Sequence, residues 1–161
     1  MRPLLVLLAL SFAGTAVNVW LLSGVVPWFL LPDVSFLVIV YAGLFLSGPL
    51  GFVAALPPAL FREVTILGPP GSFFLASLAV YFAASEIGRR LFLRSEIFIL
   101  LIVAGLLAAE SASVTLLLVL EGGQSVSALW GAEEAVRISW TALLGVFLFV
   151  DLSGRWQRIR E

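Results

Sequence analysis

The chain has 161 residues, is 61% hydrophobic and 12% charged, and carries a formal net charge of −1; its mean hydropathy is +1.14. Soluble domains carry about 25% charged residues, and a soluble fold of this size cannot hide so much apolar surface, so lipid is the expected solvent for most of it. Near-neutral charge gives no case for nucleic-acid binding. The absence of Cys and His removes disulfides, thiolate metal sites, thiol nucleophiles and the usual general base.

The first element is the apolar run Leu4–Leu22. Met1-Arg2-Pro3 with Gly14-Thr15-Ala16 mimics a signal peptide and its cleavage site. The run continues past those small residues, however, so a retained first span is expected. A helix needs about 20 apolar residues to cross roughly 30 Å of hydrocarbon, and this run is long enough.

Val34 to Phe61 is the difficult stretch, 28 residues without a charge. As one straight helix it would measure about 42 Å, and it contains Pro49, Pro57 and Pro58, each of which breaks or kinks a helix. Ser47-Gly48-Pro49-Leu50-Gly51 reads as a turn. The stretch is therefore expected as two short spans, 33–47 and 50–61. Short or Pro-interrupted helices at membrane depth must be buried among other helices or line a cavity.

Three further spans follow at 72–91, 97–120 and 135–152. The longest polar-leaning loop is Glu121–Glu134. The expected fold is thus an all-α integral membrane protein, one bundle of six transmembrane helices in a single domain. All nine cations are Arg, and seven fall at three places: Arg2; Arg89, Arg90 and Arg94; and Arg155, Arg158 and Arg160. Basic loops stay in the cytoplasm. Six spans with an inside amino terminus put all three groups on that side; five spans with an outside amino terminus displace only Arg2. Trp20, Trp28 and Trp130 fall near outer ends and Trp156 near the inner end, where amphipathic rings belong. Trp140 lies within the last span and is expected against a neighbouring helix.

Few residues carry chemistry. Glu110 sits near the middle of the fifth span, where a carboxyl group is costly and must face the bundle interior, be protonated or be paired. It serves either a ligand or partner contact, or a structural hydrogen bond to Ser111, Ser113, Thr141 or Arg137. Arg137, near the outer end of the last span, snorkels to the interface or reaches toward Glu110. Arg62-Glu63, between Pro57-Pro58 and Gly68-Pro69-Pro70-Gly71, forms a stiff recognition segment or a solvated loop pair worth little. Glu86 is at helical pairing distance from Arg89 and Arg90. Small-xxx-small faces run along Ala9, Ala13 and Ala16, along Ala104, Ala108 and Ala112, and along Gly105, Ala109 and Ser113; they allow close helix approach within the bundle or to a partner. The arginine-rich tail from Arg155 to Arg160 anchors topology or holds anionic lipid head groups. No catalytic constellation, metal cluster or cofactor-binding motif is visible, so a non-enzyme is expected.

The order of these features resembles the rod shape-determining protein MreD family. The carriers are a short first span, then Pro32-Asp33 opening an apolar run to Tyr41, then Gly48-Pro49-Leu50-Gly51-Phe52. Leu60-Phe61-Arg62-Glu63-Val64-Thr65-Ile66-Leu67-Gly68-Pro69-Pro70-Gly71 and an apolar span to Arg89-Arg90 complete them. The family often has Asp where Glu63 stands, and Pro57-Pro58 is unusual for it. The resemblance implies a non-enzymatic subunit of the bacterial cell-wall elongation machinery in the inner membrane. Such a subunit binds an MreC-like single-span protein and works with the MreB filament, the RodA glycosyltransferase and its penicillin-binding partner. The family's six-helix bundle is similar to the substrate-binding subunits of energy-coupling-factor transporters, which supplies the alternative, a vitamin-binding transport subunit.

Overall fold

The computed structural model describes residues 6, 9, 12–14, 16, 25–27, 30–46, 48–65, 70–90, 96–120 and 128–160, with side chains of the last helix described over 131–150. Every regular element among them is helical. The five continuous helices are α1 (Val34–Phe45), α2 (Pro49–Thr65), α3 (Ser72–Arg90), α4 (Glu96–Leu120) and α5 (Ala128–Arg160). Helical backbone also appears at 12–14, where Phe12 packs its ring 5.6 Å from that of Phe61.

Helix α1 is the centre of the bundle. Its 12 residues lack any charge, and Ser35 through Leu44 are buried without interruption. A helix apolar all round has no face to offer water, so it belongs where neighbours cover every side. Its start is set by Asp33, whose Oδ1 accepts from the Phe36 amide at 2.9 Å and satisfies one of the first-turn donors. Its end is set by Gly48, whose positive φ of 67° turns the chain into Pro49, a residue suited to a helix's first position.

Helix α2 runs through Pro57 and Pro58 and continues to Thr65, one turn beyond the expected stop at Phe61. The prolines remove two helical amide donors. Pro58 nevertheless packs inward with Ala54, Ala55 and Ala59, and such small side chains let neighbours close in and hold the helix together.

Helices α1, α3 and α5 run in one direction, and α2 and α4 return. Asp33 meets Thr141, Leu37 meets Gly145 and Tyr41 stacks on Phe149 at 5.2 Å, a constant register along parallel α1 and α5. Close approach of α1 to α3 requires glycine: a Cβ on Gly43 would lie 2.7 Å from the Ala84 Cβ, and one on Gly88 2.6 Å from the Leu44 oxygen. The small-xxx-small faces do not make these contacts. The inward face of α4 is Ile99, Val103, Leu107, Glu110 and Val114, whereas Gly105, Ala108, Ala109, Ala112 and Ser113 are exposed.

Helix α4 is long and apolar enough to cross a membrane, with mean hydropathy 2.3 over the 22 residues Glu96–Leu117. Helix α5 has 33 residues, a length of about 50 Å. It starts seven residues before the expected span at 135, so Glu133 and Glu134 are helical rather than part of the expected 121–134 loop. Its register with α1 carries Phe149 toward the end where α3 holds Arg89 and Arg90.

Candidate functional site: a buried arginine joining five helices

Arg62 lies in the last turn of α2 and is 2% exposed. Bringing a guanidinium out of water is expensive, and it persists only when nearly every N–H finds an acceptor and the charge is matched. Both conditions are met here. Nη1 donates to Glu110 Oε1 at 2.5 Å and Nη2 to Glu110 Oε2 at 2.8 Å. That is the two-pronged geometry in which the planar fork fits a carboxylate. Nη1 also donates to Ser77 Oγ at 2.8 Å, and Nη2 to Asp33 Oδ2 at 2.9 Å. The guanidinium carbon lies 5.6 Å from the centre of the Phe36 ring, within range of a cation–π attraction. Nε alone has no partner among the described residues.

The partners come from different helices. Ser77 is on α3 and Glu110 on α4. Asp33 uses one carboxylate oxygen to cap α1 and the other to hold Arg62, and its own amide donates to Thr141 Oγ1 of α5 at 3.2 Å. One side chain on α2 therefore reaches all the other described helices, directly or through Asp33.

A second polar group lies on the face between α4 and α5. Glu134, 5% exposed, accepts from Ser111 Oγ and from Arg137 Nη2 at 2.5 Å and Nε at 3.1 Å. Where Arg137 is expected to snorkel or to reach toward Glu110, the structure forms two close pairs, Arg62 with Glu110 and Arg137 with Glu134. The difference is positional, because Glu134 sits one helical turn before Arg137 on α5.

Glu63 points elsewhere. It accepts from the Gly71 amide at 2.5 Å and the Phe74 amide at 3.0 Å, so it caps the start of α3 from outside that helix. Gly71, at the cap position with φ 83°, has no side chain to do this itself. These amides, Gly71 first, hold the Glu63 carboxyl below the usual carboxylate value of 4.5. Arg62 and Glu63 are therefore neither a solvated loop pair nor a single recognition surface. They face different helices and hold different elements.

Glu86 pairs with Arg89 and Arg90 at the surface. Trp140 is 53% exposed rather than packed on a neighbouring helix. The side chains of Arg94, Arg155, Arg158 and Arg160 lie outside the described residues, as do those of Trp20, Trp28, Trp130 and Trp156. The sequence reading passed over Ser77, Glu134 and the partnership of Asp33. Asp33 carried a usable signal, an acidic residue directly before an apolar helix, which is a preferred cap.

Fold and site together define an all-α bundle locked by a buried ion network. Among the described residues no group of carboxylates is arranged to hold a metal. Comparison of the chain with protein-family models, with curated proteins and with solved structures returns no match.

Proposed function

We propose that this protein is a non-enzymatic, six-span scaffold of the bacterial inner membrane, a subunit of the cell-wall elongation complex that binds an MreC-like single-span partner. The observation that carries the reading is the pairing of Arg62. Its charge is consumed by Glu110 and Asp33 inside the bundle, as in a part that holds shape rather than one that receives a substrate. The membrane setting draws on α4, on the short and uncharged α1, and on large apolar side chains exposed around the bundle, among them Leu50, Val64, Leu75, Leu101 and Phe147. Apolar exteriors of this kind suit lipid or partner helices. The shared end of Arg89, Arg90 and the α5 terminus fits a cytoplasmic face. The family resemblance supplies the partners: the MreC-like protein first, then RodA, its penicillin-binding partner and the MreB filament.

The deciding experiment is affinity purification from membranes of a cell that expresses both proteins. The MreC-like protein is expected to co-elute, and depletion of the chain should turn rods into spheres. Nanomolar vitamin binding by the isolated protein, with no such co-elution, would replace this reading by the transport subunit.

A further inference from the structure

At the end of the bundle opposite Arg62, residues of α1, α2 and α3 line a pocket of about 560 Å³. Its walls are aromatic. Phe52, Tyr81 and Phe82 form one cluster with ring centroids 5.3–6.1 Å apart, and Phe45 closes another side, with Ser85 and Arg89 at the polar margin. Tyr81 donates its hydroxyl to the Gly48 oxygen at 3.3 Å, which leaves its ring as wall. Arg89 and Arg90 share the single carboxylate of Glu86, so this margin keeps one positive charge in excess. Both guanidinium groups are largely exposed.

We propose that this pocket is a binding site for an anionic phospholipid, its acyl chain against Phe45, Phe52 and Phe82 and its phosphate at Arg89 and the Ser85 hydroxyl. The inference rests on the membrane setting proposed above and is independent of the partner. Charge and shape select the occupant together. An apolar recess bordered by a net cation matches a molecule with a hydrocarbon chain and an anionic head, and arginines at a membrane surface attract such heads. A neutral lipid satisfies the walls and leaves the excess charge unmatched.

The test is native mass spectrometry of the full chain extracted from nanodiscs of phosphatidylglycerol or of phosphatidylcholine. The expected result is retention of a single phosphatidylglycerol and no phosphatidylcholine. Arg89→Ala should weaken retention about fivefold, the effect of one cationic contact at the phosphate, while Arg90→Ala, outside the pocket, removes only the excess charge and should weaken it less. Ser85→Phe fills the recess without altering charge and should abolish retention. If that variant unfolds, Phe82→Ala, which truncates an exposed wall, must lower retention instead. Equal retention of both lipids, or equal loss in Arg89→Ala and Arg90→Ala, would show only general attraction to a basic surface and overturn the site. Partner co-elution read on the same preparations separates the two proposals: lipid lost with partner retained leaves the scaffold reading standing. A chain recovered outside the membrane fraction sinks both.

Discussion

Replacing Arg62 by Met strands two carboxylates in the interior, and the loss is set by their desolvation rather than by the contacts removed. The expected cost is about 3–5 kcal/mol, measured by denaturant unfolding in detergent. The triple variant Asp33→Asn, Arg62→Met, Glu110→Met should recover most of it, because it removes the charges together; a triple variant as unstable as the single one would refute the lock. Glu63 makes a pH prediction. Its folded pKa lies below its ordinary value of 4.5, so the folded state binds the proton more weakly than the unfolded chain. The stability it adds is complete above about pH 4.5 and disappears as pH falls through the lowered value. Glu63→Gln should have a lower Tm at neutral pH and a flatter acid limb. Glu110 was legible in the sequence as a costly buried charge; its partner was not. Arg62 lies 48 residues away, just past the expected end of its span at Phe61.

Among the elements, the turn between α1 and α2 could be read from Gly48-Pro49, since a positive φ followed by a fixed one leaves few conformations. The last turn of α2, past the expected stop at Phe61, could not be, because what holds it is tertiary: Arg62 is anchored to Asp33, Ser77 and Glu110. The small-residue faces were open to either use, within the bundle or toward a partner. Spacing marks small residues but not which face is inward. The contacts now distinguish them. Gly43→Val drives a side chain into Ala84 and the Tyr81 carbonyl and should cost about 1–3 kcal/mol. Gly105→Ala meets nothing within 4 Å and should stabilise α4 by up to about 1 kcal/mol through helix propensity. Thermal unfolding of the two variants checks both signs; a neutral Gly43→Val would contradict the packing of α1 on α3.

For the whole molecule, parallel α1, α3 and α5 place Gly48 and Arg89-Arg90 at one end, with Asp33, Glu63 and Pro70 toward the other. The chain lacks Cys, so single cysteines report sidedness cleanly. In intact cells Ser47→Cys should resist an impermeant thiol reagent and Pro70→Cys should react; the reverse pattern would invert the topology. The Arg62 network also has a consequence for synthesis, because its members leave the ribosome at different times. Asp33 emerges first, Arg62 follows 29 residues later, and Glu110 a further 48, a wait of roughly 2–10 s at about 5–20 residues per second. Through that interval Asp33 is the only carboxylate of the finished network able to receive the cation. On the membrane reading proposed above, the residue that caps α1 in the mature bundle is thus also the first counter-ion available to Arg62 during synthesis.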